Sequence, residues 1–227
     1  MIGCFVTGTD TGVGKTVVAA AIVAALTAAG RDVAPVKPVV TGLDEPDPQR
    51  PLDHELLSIA TGGRRSPADI TPLTFGAAVS PHLAAELAGV VVEPAELVAA
   101  ARAAADGAEV VIGEGAGGLL VPITGGYLMR DYALDLGLPL VIAARPGLGT
   151  INHTLLTIES ARAAGLRVLG VVLTPWPDEP DAVQRSNRDA IAKLGRAEVA
   201  TLPHVGVTAD ELAVAGAVLP LDRWIPA

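Results

Sequence analysis

The stretch Gly8-Thr9-Asp10-Thr11-Gly12-Val13-Gly14-Lys15-Thr16 constrains this chain more than any other. An apolar run, Met1 to Thr7, precedes it, and an alanine-rich run from about Gly14 to Ala29 follows, with Gly30 as its stop. That order predicts strand, loop, helix. Gly12 and Gly14 let the backbone approach a ligand closely, so that N–H groups of Gly12, Val13 and Gly14 can cradle phosphate oxygens. The helix start adds further free donors. Lys15 supplies a cation for β- and γ-phosphates, and the Thr16 hydroxyl a ligand for Mg2+. The first glycine lies one position early, at Gly8 rather than Thr9, so the loop is a variant Walker A. Gly-Lys-Thr at its end separates it from dinucleotide-binding loops.

A second strand, Val33 to Lys37, follows within a few residues, which predicts a βαβ unit with parallel strands and a right-handed crossover. Further on, helices are expected from near Leu52 to Thr61, after Ser80-Pro81, over Pro94 to Ala105, over Ile151 to Ala164 and after Pro180. Strands are expected at Glu109 to Gly113, Leu138 to Ala144, Val168 to Leu173 and Glu198 to Thr201. Residues 42–51 and 64–79 read as irregular, and 205–227 as a loosely patterned tail. Strand and helix thus alternate along the chain, which predicts an α/β fold: a single doubly wound, mostly parallel sheet with helices on both faces, of P-loop NTPase type, in one domain over 1–227.

Half of the 227 residues are hydrophobic and only 18% are charged, as expected where strands are buried on both faces. The net charge of -9 disfavours a nucleic-acid partner. The single cysteine, Cys4, cannot form an internal disulfide and sits in a core strand. No basic, apolar and cleavage regions follow one another at the amino terminus. The uncharged run between Lys15 and Arg31 is short for a membrane span. A cytoplasmic protein with no membrane partner is the expectation.

Three charged positions stand out beyond the loop. Glu114 ends the apolar strand Val110-Val111-Ile112-Gly113, the place for an acid beside bound Mg2+. Asp53 follows a polar loop and reads either as a helix cap or as part of the site. Lys37 closes an apolar strand, as an exposed strand end or as a second cation near a γ-phosphate, where transfer develops charge. Asp10 suits a substrate amine or metal-bound water. His54, His82, His153 and His204 lack zinc-ligand spacing and read first as structural. No serine or cysteine arrangement suggests a covalent nucleophile.

The loop Gly8 to Thr16, Lys37-Pro38 with Thr41, Asp53, Ser80-Pro81-His82, Glu114-Gly115-Ala116-Gly117-Gly118, and Leu148-Gly149-Thr150-Ile151-Asn152-His153 together resemble the dethiobiotin synthetase family, in order and spacing from residue 2 to about 173. The resemblance implies ATP and Mg2+ acting on 7,8-diaminononanoate and CO2 or bicarbonate, in a homodimer. It implies Thr16, Asp53 and Glu114 as metal ligands, and Lys15, Lys37 and Thr11 as the catalytic group. It places Gly117, Thr174 and Pro175 with the nucleotide. Thr11, Lys37 and Thr41 then lie beside the diamine or its carbamate. Gly149, Thr150, Ile151, Asn152 and His153 meet the substrate carboxylate across the dimer interface. The implied route runs through an N-carbamate and a carbamic-phosphoric anhydride to a closed ureido ring.

Thr174 departs from the pattern, since many relatives carry an asparagine there that reads the base. Threonine lacks the paired amide donor and acceptor, so weak base readout is expected. The competing expectation is a partitioning or metallochaperone-type ATPase switch. Such switches often carry a second lysine early in the loop, where this chain has Gly8, Thr9 and Asp10. An amidotransferase synthetase domain would need a glutaminase partner, and a non-catalytic module would not need Glu114 beside Lys15 and Thr16.

Overall fold

The computed structural model describes residues 1–48 and 50–226. Its central sheet has six strands: β1 (Gly3–Gly8), β2 (Val33–Val36), β5 (Val110–Gly118), β8 (Leu140–Ala144), β9 (Val168–Leu173) and β10 (Glu198–Thr201). They lie in the order β10-β9-β8-β1-β5-β2, and every pairing is parallel. β1 and β2 are thus parallel, as expected, but β5 lies between them. β1 is central, so the loop leaving it opens at the carboxyl edge of the sheet, where ligands of open α/β folds bind.

Side chains alternate across the strands and feed separate cores. Cys4, Val6, Val110, Ile112, Val141 and Ala143 face the core under α1 (Lys15–Ala28) and α2 (Asp53–Ala60). Phe5, Val36, Val111 and Leu140 face a second core with α4 (Pro81–Ala88), α5 (Pro94–Ala104) and α6 (Met129–Leu136). Ile142, Ala144, Val171 and Leu173 form a third with α7 (Thr150–Ala163) and α8 (Ala182–Gly195). α1 is buried nearly all round because it lies between the sheet and further helices.

Three expectations need correction. The strand expected to stop at Gly113 continues through Glu114 and the glycines to Gly118. Those glycines serve close packing: a Cβ at Gly113 would stand 2.4 Å from the Phe5 ring, and one at Gly117 would stand 2.7 Å from Val121. Residues 64–79 hold α3 (Pro67–Ile70) and β4 (Leu73–Phe75), which pairs with β3 (Val39–Thr41) beyond Lys37. The tail forms α9 (Ala209–Gly216) and α10 (Leu221–Trp224), which bury Leu212, Leu219 and Trp224 in the α1 core. A small antiparallel pair, β6 (Pro122–Thr124) and β7 (Tyr127–Leu128), completes the list of elements.

Candidate active site

β1 delivers the loop and α1 receives it. Gly12 and Gly14 hold φ of +70° and +90°, a region open to glycine without a Cβ penalty. Gly14 also admits Thr174, whose γ-methyl would stand 2.7 Å from a Cβ there. Thr9 N–H is taken by the Ala143 carbonyl at 3.1 Å and Thr11 N–H by the Asp10 carboxylate at 2.7 Å. One Asp10 oxygen thus braces the loop, and the side chain is exposed. The N–H groups of Gly12, Val13 and Gly14 have no partner among the described residues. Lys15 Nζ donates to the Asp10 carbonyl at 2.9 Å. Burial lowers the Lys15 pKa, with Glu114 opposing.

At the start of α1, four side chains from distant parts of the chain converge. Thr16 Oγ1 lies 2.9 Å from Asp53 Oδ1 and 2.7 Å from Glu114 Oε1. Lys37 Nζ lies 2.8 Å from Asp53 Oδ2, 2.9 Å from Glu114 Oε1 and 3.3 Å from the Gly115 carbonyl. Lys37 and Glu114 are fully buried, whereas Asp53 is partly open to solvent. Burial works against the Lys37 charge, but Asp53 and Glu114 more than offset it and raise its pKa. Burial likewise works against the Asp53 charge, and Lys37 with the Thr16 hydroxyl brings it below the ordinary carboxylate value. For Glu114, burial and the Asp53 charge prevail over Lys37 and hold its pKa up.

Asp53 was open to two readings, and the geometry decides between them. It is the first residue of α2, but the side chain bonded to the N–H of Leu52 belongs to Glu55, at 2.8 Å. Asp53 instead turns into the cluster.

Thr16, Asp53 and Glu114 offer three oxygens to a cation. Glu114 Oε2 is buried with no hydrogen-bond partner, an arrangement that is costly unless something binds there. Neighbouring oxygens around Mg2+ at 2.0–2.1 Å stand about 2.9 Å apart, close to the spacings of Thr16 Oγ1 from both carboxylates. Among the described residues no group of three or more His, Cys, Asp and Glu is gathered, so a cation here would add the Thr16 hydroxyl and non-protein oxygens to the two carboxylates. That donor set fits Mg2+, which keeps waters and takes few protein ligands.

A cleft of about 660 Å3 opens on the loop. Thr11, Gly12, Val13, Gly14, Lys15 and Thr16 line one side. Val39, Val40, Thr41, Arg50, Pro51 and Asp53 line the second, with Ala116 and Gly117 at the sheet. Thr174, Pro175 and the run Pro203 to Val207 line the third. The tail run had no expected role. It is tied in by Trp176 N–H, which donates to the Leu202 carbonyl at 2.8 Å.

Gly149, Thr150, Ile151, Asn152 and His153 do not line this cleft. Gly149 precedes α7 at φ +90°, Thr150 is buried beside Thr154, Ile151 packs on the third core, and Asn152 and His153 are exposed. His82 Nδ1 lies 3.0 Å from the Ser80 hydroxyl, a local helix-start contact. Sequence reasoning passed over Arg145, whose Nη2 donates to the Thr11 carbonyl at 3.0 Å. The signal was the one used for Lys37: a long cation ending an apolar strand.

A glycine-rich loop feeding a helix at the carboxyl edge of a parallel sheet, with lysine, threonine and acids around it, defines a P-loop nucleotide-binding protein. The AAA domain family matches residues 3–211. In fold the chain is similar to the MinC:MinD cell division protein complex of Aquifex aeolicus. That match has 16% identity and a TM-score of 0.57, covering 95% of this chain and 86% of that one. It is similar to a ParA family ATPase from Chlorobium tepidum at 15% identity and a TM-score of 0.55, covering 99% and 97%. Identities so low speak for the fold alone. The sequence relatives are closer. ATP-dependent dethiobiotin synthetase BioD of Anaeromyxobacter dehalogenans strain 2CP-1 is 47% identical over 204 residues, 89% of this chain and 90% of that protein. The protein of the same name from Bacillus subtilis strain 168 is 38% identical over 208 residues, 92% and 87%. The chain belongs to the dethiobiotin synthetase family.

Proposed function

We propose that this chain uses ATP to close 7,8-diaminononanoate and CO2 into dethiobiotin, releasing ADP and phosphate. The observation that carries this reading is the cluster of Thr16, Lys37, Asp53 and Glu114 beside free loop N–H groups. The reaction needs little covalent help from protein. One amine takes up CO2 as a carbamate, whose oxygen attacks the γ-phosphorus. The second amine attacks the carbon of the resulting anhydride, expels phosphate and closes the five-membered ring.

Protein groups then position and stabilise charge. The loop N–H groups and Lys15 hold the polyphosphate, and Lys15 exchanges the Asp10 carbonyl for it. Lys37 keeps its charge through Asp53 and Glu114 and stands ready for the carbamate and the transferring phosphoryl group. Thr11 and Thr41, which both line the cleft, take the diamine or its carbamate. Thr174, Pro175 and Gly117 border the nucleotide. Thr16, Asp53 and Glu114 would hold Mg2+, which offsets phosphate charge. Gly149 to His153, lying away from this chain's own cleft, serve the partner's substrate carboxylate in a homodimer of single-domain protomers.

Isotope-labelled bicarbonate tests the reading. Label is expected in a product one carbonyl heavier than the diamine, only with ATP and diamine both present. ATP hydrolysis indifferent to the diamine would favour the switch-type ATPase that the fold also accommodates.

A further inference from the structure

β8 carries the loop on two rungs. In the β1–β8 pairing Gly8 stands opposite Ala143. The Ala143 carbonyl takes Thr9 N–H at 3.1 Å. Beyond that rung the loop swings away to make its cradle. Two residues further along each chain, Arg145 bridges the gap and its Nη2 donates to the Thr11 carbonyl at 3.0 Å. Ala143 thus holds the loop through its backbone carbonyl, and Arg145, just past the end of β8, holds it through its side chain.

Arg145 has a firm base. Thr174 N–H donates to the Ala144 carbonyl at 2.9 Å. The buried Asn187 of α8 donates to the Pro146 and Gly147 carbonyls at 3.0 and 3.1 Å. The guanidinium lies behind the loop: Thr11 and Gly12 line the cleft and Arg145 does not. A Cβ at Gly12 would stand 3.6 Å from Arg145 Nη2, so the guanidinium lies close against this turn.

The Thr11 carbonyl and the Gly12 N–H belong to one planar peptide and point in opposite directions. A donor that holds the carbonyl from behind therefore aims the N–H into the cleft. Gly12, at φ +70°, is the residue type that lets this peptide turn over at small cost. We propose that Arg145 is a positioning residue for nucleotide binding: by holding the Thr11 carbonyl it fixes the Thr11–Gly12 peptide with its N–H toward the polyphosphate.

This inference rests on the loop's role in holding ATP, and the test separates the two. The full chain and its Arg145→Ala and Arg145→Lys variants are compared in steady state with Mg-ATP varied, and by calorimetric titration with ADP. Arg145→Ala is expected to raise the KM for ATP about tenfold and weaken ADP binding similarly. Its kcat and diamine KM should stay within about twofold, with an unchanged melting temperature. Arg145→Lys, which can still donate to the carbonyl, is expected to recover most of the loss. An ATP KM and ADP affinity within twofold of the parent would overturn the proposal. So would a loss expressed in kcat or diamine KM, a parallel drop in melting temperature, or no recovery by lysine. A parent chain that binds ADP but makes no product would overturn the synthetase reading, and the ADP titration of the three proteins would then decide this inference.

Discussion

Lys37 and Glu114 are buried together, and each makes the other tolerable. Removing one charge of such a pair leaves the other uncompensated, at a cost of about 3–5 kcal/mol. Lys37→Gln is therefore expected to lower the unfolding free energy from a urea titration by that much and to cut kcat by at least a hundredfold. A variant with parental stability and turnover within tenfold would contradict the placement. Lys37 and Glu114 were legible in the sequence because charge at the end of an apolar strand is conspicuous. Asp53 was not decided there, since a carboxylate at a helix start serves a cap equally well; only its turn toward Lys37 and Thr16 separates the readings. Thr174 presents a methyl to Gly14 rather than an amide to a base. Triphosphates with swapped bases are expected to support turnover with KM values within about tenfold of ATP. A preference of a thousandfold for ATP would show a base reader elsewhere, with the 203–207 run the first place to look.

Among the elements, β1 combines burial with delivery of the loop. Burial pushes the Cys4 thiol up to about 12. The folded chain keeps that proton where the unfolded chain loses it, so this group's contribution to stability is complete below its ordinary value of 9.0 and declines as pH rises from there toward about 12. At pH 8 the thiol is expected to resist iodoacetamide until the protein is denatured. Rapid labelling of the folded chain would place Cys4 outside the core. Strand and helix order was legible wherever apolar runs were long. Sheet order was not, because β5 (Val110–Gly118) joins β1 (Gly3–Gly8) and β2 (Val33–Val36) from far along the chain, through pairings that leave no local pattern. Gly115-Ala116-Gly117-Gly118 looks like a turn in sequence, yet it extends β5, which pairs with β1 as far as Gly118 opposite Gly8.

For the whole molecule, the tail matters more than its patterning suggested. α9 and α10 are short, and their apolar residues are spaced by contacts with α1 rather than by a long amphipathic repeat. Gly216 packs so closely that a Cβ would stand 2.0 Å from the Ala21 carbonyl. Trp224 is 3% exposed, lies in the α1 core, and donates to Glu198 at 3.1 Å. Trp224→Ala is expected to cost about 3–5 kcal/mol in a denaturant titration. A cost below 1 kcal/mol would mean that the tail is only loosely docked. The tail run at 203–207 also forms a wall of the cleft, so loosening α9 should weaken nucleotide binding along with stability.

All these scales meet in the claim that the cleft couples ATP to ring closure. Phosphate release from Mg-ATP, measured with bicarbonate in the presence and absence of 7,8-diaminononanoate while mass spectrometry follows the diamine, tests it most directly. The account predicts release that requires the diamine and matches, mole for mole, a product with one added carbonyl and a closed ring. Nucleotide binding without diamine-dependent release or product would contradict it.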